Sequence, residues 1–195
     1  TGEISMAITK KDYPNLSSTK IRLINAVLYF LEKEEYAETT ILQIVQVADV
    51  ARSSFYNNFR TKDDILRCFI EEIYVKTQTH IGINPAISMV DLLHMYYDFM
   101  KKNKTFLIPL YKNNLFHLML EENEFWIRHV IMEQKYDLLD KTDCSDFVKE
   151  NKEYYARFLS AGTWSVLKLW VQDGMQESTD HMVRLILDLM RYQLK

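Results

Sequence analysis

Glycine and proline are scarce in this chain: four and three among 195 residues. Hairpins and tight turns lean on both, because glycine reaches positive φ at no steric cost and proline presets a turn. Long helices need neither, and each breaks a helix interior. The fold class expected is therefore all-α. Hydrophobic residues make up 48% and charged residues 26%, enough apolar surface for a substantial core. No run of 18 apolar residues is present, so no membrane partner is expected. The opening TGEISMAITKKDYPN lacks the apolar stretch of a secretory signal, and Cys68 and Cys144 are isolated. These features point to a cytoplasmic helical protein.

Apolar spacing divides the chain into helices. Residues 19–34 carry Ile21, Ile24, Val27, Leu28 and Leu31 on one face, with Ser18 or Thr19 as cap. Thr39 is the expected cap of a short helix bearing Ile41, Ile44, Val45 and Ala48. A turn at 48–50 leads into a second short helix, about 51–58. Thr61 caps a long helix over 62–80, whose first turn holds Asp63 and Asp64. Ser88 caps a helix to Lys102. Thr105 starts another, bent or delayed by Pro109. Helices are expected over 115–121, 124–140 and 146–173, with a loop at KTDCSD, Gly174 as a C-terminal stop, and a last helix from Ser178 to about 193.

The stretch DVARSSFYNNFRTKDDIL, residues 49–66, has two characters at once. Phe55, Tyr56 and Phe59 fall within five residues, interleaved with arginines, serines and asparagines. Two short helices joined by a tight turn and braced by an earlier helix describe a helix-turn-helix. The second helix of that motif packs on the first through one face and enters the major groove of double-stranded DNA with the other. Phe55 and Phe59 serve the packing face. Arg52, Ser53, Ser54, Tyr56 and Asn57 supply the donors and short polar groups that base edges and phosphates require. Lys62 and the amides at the start of the next helix would grip the backbone, with Thr39 and Thr40 as further contacts. Overall charge does not advertise the role: residues 1–70 hold nine basic and nine acidic residues, and 71–195 hold fifteen and eighteen.

Residues 19–66 resemble the N-terminal domain of the TetR family of bacterial transcriptional regulators. The resemblance rests on Tyr36, the pair Thr39-Thr40, Ala48 and Val50 around the turn, Phe55-Tyr56, Phe59, and Thr61-Lys62. Two departures stand out. Glu35 occupies a position where the family often has glycine, and Asp49 occupies the usual turn glycine; aspartate tolerates left-handed backbone better than most residues. The resemblance implies a homodimer on a pseudo-palindromic operator, with a small effector bound in the C-terminal part. The expected layout is an N-terminal extension over 1–18, a three-helix DNA-binding domain over 19–66, and a helical bundle over 67–195 for ligand binding and dimerisation.

Residues 89–139 are rich in aromatics and methionines. Most belong to a core, and as a set they can line a pocket between helices for an apolar or aromatic effector. Tyr96, Phe99, Met100, Phe116 and Trp126 are the candidate lining residues. The last two helices are apolar on more than one face, which places them between two layers. Phe158, Gly162, Val166, Trp170, Leu185 and Leu189 are the candidate dimer contacts, with the small run 160–163 allowing close approach.

Three histidines sit four residues before an acid: His94/Asp98, His117/Glu121 and His129/Glu133. That spacing suits metal ligands, and equally an ordinary helix side-chain pair. No nucleophile elbow or glycine-rich phosphate loop accompanies them, so no catalytic residue, metal or cofactor is expected. The leading expectation is a ligand-responsive, DNA-binding regulator, a repressor as the family resemblance implies. Its rivals are a protein of the same fold acting through protein partners with weak or no DNA binding, and a helical-bundle enzyme or metal carrier.

Overall fold

The computed structural model describes residues 7–81, 88–132 and 146–192, and holds no strand among them. The helices are α1 (Ser18–Glu32), α2 (Ile41–Val47), α3 (Arg52–Tyr56), α4 (Lys62–Ile81), α5 (Met89–Lys102) and α6 (Lys104–Lys112). A 3₁₀ turn (Phe116–Met119) precedes α7 (Leu120–Met132), α8 (Asp146–Glu150), α9 (Lys152–Gln172) and α10 (Thr179–Tyr192). The all-α expectation holds. The breaks expected at IGINP and KTDCSD lie largely or wholly outside the described residues, as do the ends of the expected helices 124–140 and 178–193. The single helix expected over 146–173 is interrupted at Asn151, where α8 ends and α9 begins.

Two compact units emerge. One takes the chain up to Ile73 together with Thr105–Met119; the other takes Tyr74–Lys104 and the chain from Leu120 onward. In the first unit α1 packs on α2 and α2 on α3. Leu23, Ile24, Leu28, Leu31, Ile44, Phe55, Ile65 and Ile70 form its core. Residues before α1 join in: Asn25 brackets Ile8, accepting its N–H at 2.8 Å and donating to its carbonyl at 3.0 Å. Phe106 of α6 meets Phe69 of α4 edge-on, with ring centroids 5.0 Å apart. Asn113 donates to the Leu31 carbonyl at 3.0 Å, joining the end of α6 to the end of α1. In the second unit α7 packs along α9 and α10 along α5. Arg157 of α9 reaches Glu124 of α7 at 2.8 Å, and Arg128 of α7 reaches Glu153 of α9 at 2.9 Å.

Several caps fall one residue from their expected place. Ser17 caps α1, accepting from Lys20 N–H. Thr40, not Thr39, caps α2, and Gln43 closes a reciprocal capping box with it.

The scarcity of glycine reappears at the helix ends. α9 closes on Gly174 at φ +74°, with Met175 N–H bonded to the Trp170 carbonyl at 2.7 Å and Gly174 N–H to Val171 at 3.0 Å. This double bond pattern is the Schellman motif, which requires a left-handed residue after the cap. α1, α2 and α6 end in the same motif without glycine. Glu34, Asp49 and Asn114 hold the left-handed position at φ +59°, +49° and +59°. The left-handed residue after α1 is thus Glu34, one before the position at which glycine was expected. Non-glycine residues cost about 1 kcal/mol in this conformation. Glu34 pairs with Lys112 at 2.6 Å, and Asp49 pairs with Arg22 of α1.

Asn114→Gly removes the strain without breaking an ion pair. It is expected to stabilise the fold by about 0.5–1 kcal/mol, read as a rise in urea midpoint at unchanged slope. A lower midpoint would show that the Asn114 side chain itself holds the turn.

Candidate functional site

α3 has only five residues, too few to persist alone. Phe55 anchors it: the ring is fully buried, worth about 2 kcal/mol. Phe59 is buried beside it, with centroids 6.3 Å apart. The opposite side faces outward. Arg52, Ser53, Tyr56 and Asn57 are exposed and Ser54 is half-buried. Arg52 lies along the helix, donating to the Tyr56 hydroxyl at 3.3 Å with its guanidinium 5.6 Å from that ring. Donors, an amide and an aromatic hydroxyl therefore share one solvent-facing surface. Of the five residues expected to read DNA, four stand on this short helix and Asn57 caps its end, while Phe55 turns to the core.

The flanking residues divide differently. Thr40 is exposed at the start of α2, its hydroxyl accepting from Gln43 N–H at 3.3 Å. Thr39 is buried and donates to the Glu35 carbonyl at 2.7 Å, so its hydroxyl proton is already committed. Lys62 is also committed. Its ammonium donates to the carbonyls of Tyr36, Ala37 and Thr39 at 2.6, 2.8 and 3.0 Å. An ammonium has three hydrogens, so this geometry leaves none for a phosphate. The expected backbone contact is here an internal clamp on the loop before α2. The two amides just before α4 are used too: Asp64 accepts from Arg60 N–H at 3.0 Å and Thr61 N–H at 2.8 Å. Partial burial pushes the Asp64 carboxyl up, but these bonds outweigh it and hold the group below its ordinary range. Tyr36 donates to Asp63 at 2.6 Å; burial first, and that bond second, raise its phenol well above the ordinary value.

The second unit contains a cavity of about 40 Å³. Its walls are Met89, Leu92, Leu93 and Tyr96 of α5, Trp126, Ile127 and Ile131 of α7, Leu159 and Thr163 of α9, and Met190 of α10. Tyr96 and Trp126 were expected there, and their rings stack at 5.4 Å and 26°. Phe99 and Met100 lie a helical turn further along α5; Phe99 packs on Tyr74, with centroids 6.5 Å apart, and Met100 is buried. Phe116 belongs to the first unit, edge-on to Tyr111, because the 3₁₀ turn that carries it folds with α1–α4. Behind the wall, Tyr96 donates to Asn123 Oδ1 at 2.7 Å. Asn123 Nδ2 and Trp126 Nε1 are buried without a partner among the described residues. A buried donor left in that state costs about 1–3 kcal/mol.

Of the six residues expected in a dimer seam, Phe158, Leu185 and Leu189 are 53%, 39% and 46% exposed in the single chain. Gly162 is exposed, and a Cβ built on it meets nothing within 4 Å. Val166 is half-buried. Trp170 is interior: its ring lies 5.6 Å from Tyr97 and 5.1 Å from the Lys101 ammonium. The histidine pairs do not assemble a ligand set. His94 faces Asp180 at 3.6 Å, His117 Nδ1 sits 3.1 Å from the Asn114 carbonyl, and His129 stacks on Phe125. No group of metal-ligating side chains occurs among the described residues; Glu133 lies outside them.

A helix-turn-helix braced by α1 and the start of α4, followed by a helical unit with an apolar cavity, defines a transcriptional regulator of the two-part helical kind. The family model described as "Transcriptional regulator C-terminal region", TetR_C_8, matches residues 90–192, more than half of the chain. The chain belongs to the TetR family. Among solved structures, that of "Dihydroxyacetone kinase operon activator DhaS" is similar over 90% of this chain and 96% of that one, with a TM-score of 0.61 at 19% identity. At that identity the likeness shows the fold. No curated protein matches the sequence.

Two signals escaped the sequence reading. The apolar run Met89, Leu92 and Leu93 shares a face with Tyr96 in a plain helical pattern, but the aromatic residues drew attention away from it. Asn123 is a lone polar residue on the apolar face it shares with Trp126 and Ile127, which marks a buried hydrogen bond.

Lys62→Met keeps the stem and removes the clamp. The expected loss is about 1–3 kcal/mol of folding stability, measured by urea denaturation. The salt slope of any DNA binding should stay at its wild-type value. A Lys62 that held a phosphate would instead flatten that slope by about one and leave stability nearly unchanged.

Proposed function

We propose that the chain is a homodimeric, cytoplasmic transcription factor that binds a pseudo-palindromic operator and is released or engaged by a small effector. The observation that carries the reading is the division of α3: Phe55 fully buried, Arg52, Ser53, Tyr56 and Asn57 exposed. A protein-contact surface has no use for so many short polar donors on one turn and a half of helix. Exposed Phe158, Leu185 and Leu189, with the open Gly162 between helices' apolar stripes, support self-association through α9 and α10. α4 supports the coupling. Its first turn carries Lys62 and Asp63, which brace the loop before α2, and Asp64, which caps α4. Its later residue Tyr74 packs on Phe99, a turn from the cavity residue Tyr96. A ligand that favours one position of α4 changes the separation of two recognition helices, which must be about 34–36 Å or a further turn. Repression is the sign that the family resemblance implies. The structural neighbour is called an activator, so a promoter fusion with and without the regulator is the direct reading of sign.

The second reading is an interaction protein with little DNA affinity. It is favoured by the internal commitment of Lys62 and the charge balance of residues 1–70. Salt-dependent binding to genomic fragments separates the two. The regulator gives a saturable site, and Arg52→Ala or Asn57→Ala costs it about 1–3 kcal/mol while relaxing preference at one base pair. Unaltered affinity in both variants sinks the assignment of α3 to the groove.

Gly162→Ala gives the dimer a test with opposite signs. In the single chain the added methyl has room, and alanine in a helix interior gains about 1 kcal/mol over glycine. If α9 crosses its partner at this point, dimer dissociation measured by sedimentation rises by about an order of magnitude or more even as the subunit becomes harder to unfold. A variant that gains stability and keeps its dimer constant places the seam elsewhere.

A further inference from the structure

A cation can hold a phosphate only through donors that are not already committed, and most cations of the first unit are committed. Lys62 has given its three hydrogens to carbonyls. Lys10 donates to the Pro14 and Leu16 carbonyls at 2.7 and 2.5 Å. Arg22 pairs with Asp49, Lys112 with Glu34, and Lys33 with the Tyr29 hydroxyl. The Lys20 ammonium lies 5.7 Å from the centroid of the Phe59 ring. Arg60 differs. It is exposed, and its guanidinium has no partner among the described residues. Its backbone, by contrast, is fixed, because Asp64 accepts the Arg60 N–H at 3.0 Å. That carboxylate has no need of the guanidinium. It also accepts from Thr61 N–H at 2.8 Å, and the cation whose charge acts on it is Arg67.

The register of α3 continues past its end. Asn57 N–H reaches the Ser53 carbonyl at 3.0 Å, and Phe59 N–H reaches the Phe55 carbonyl at 2.8 Å. Phe55 and Phe59, four residues apart, are both buried; Tyr56 and Arg60, each one residue later, are both exposed. Arg60 therefore extends the side of α3 that carries Tyr56. A recognition helix meets base edges with its N-terminal residues, so a residue past its last turn falls toward the edge of the groove, where the phosphates run. We propose that Arg60 grips a DNA phosphate and makes the backbone contact for which Lys62 has no hydrogen left. The inference rests on the proposed function and deepens it. Arg52 and Asn57 read bases, while Arg60 fixes the seat of the helix on the duplex and carries no sequence preference of its own. A guanidinium suits the task, since its fork can donate two parallel bonds to one phosphate.

The test starts by selecting a duplex from a random-sequence pool with the full-length protein. Affinity for that duplex and for a scrambled one is then measured between about 50 and 200 mM potassium chloride. Arg60→Gln is expected to weaken both duplexes by a similar factor, about three-fold or more, and to lower the slope of log affinity against log salt by about one per bound subunit. Arg60→Lys keeps the charge and is expected to keep the slope. Lys11→Gln removes an exposed cation that precedes α1 and lies off the α3 register; it controls for net charge and is expected to keep the wild-type slope. The urea midpoint of Arg60→Gln is expected to match wild type, since its guanidinium holds nothing in the subunit. An unchanged slope in Arg60→Gln, an equal fall in Lys11→Gln, a change confined to preference at one base pair, or a lowered urea midpoint each overturn the assignment. A saturable duplex that Arg60→Gln binds as wild type does rejects this contact and leaves the regulator standing. A selection that yields no saturable duplex rejects the regulator, and this contact with it.

Discussion

The unit that carries the helix-turn-helix is organised around the first turn of α4. Lys62 gathers three carbonyls of the loop that precedes α2, Asp63 receives the Tyr36 hydroxyl from the same loop, and Asp64 closes the cap of α4 itself. A charged donor holding several carbonyls fixes a loop more firmly than neutral bonds do. The position of α2 follows from that loop, because Thr40 begins the helix directly after it. α3 in turn depends on α2 and on the burial of Phe55, since five residues cannot hold a helix unaided. The exposed face of α3 is thus the last link of a chain that starts with one ammonium group.

Much of this was legible in the residues. The helical pattern, the two-sided character of 52–59 and the cap at Thr61 are written in spacing and residue type. What was not legible depends on which of several equivalent groups wins a partner. Thr39 and Thr40 are both good caps, and only the fold decides that one is buried against Glu35 while the other opens α2. Lys62 reads as a phosphate ligand until the carbonyls of 36–39 are seen around it. Phe116 reads as a pocket residue until the chain path takes it into the other unit. The 3.6-residue period assigns faces well, but it does not say how far along a helix a cavity extends, which is why Tyr96 lines it while Phe99 and Met100 do not.

The shortage of glycine has a structural counterpart that spacing alone does not reveal. Among the described residues four helices end in the same left-handed motif, and of these α9 alone supplies glycine for it. Glu34 and Asp49 use their charge at those positions, one on Lys112 and one on Arg22. Exposed ion pairs of this kind contribute little each. They orient, however: both partners lie on other helices of the same unit, so each turn is tied to the packing around it.

The first unit is not one stretch of chain. It needs residues up to Ile73 and then Thr105–Met119, which bring Phe106 against Phe69 and Asn113 onto Leu31. During synthesis the segment that carries α3 emerges well before the segment that completes its unit's core. About 45 further residues must be added, which takes roughly 2–9 s at about 5–20 residues per second. Through that interval the end of α1 and the Phe69 face of α4 wait uncovered on the ribosome. The N-terminal unit, though first to be made, has to finish folding while part of the second is already outside the tunnel.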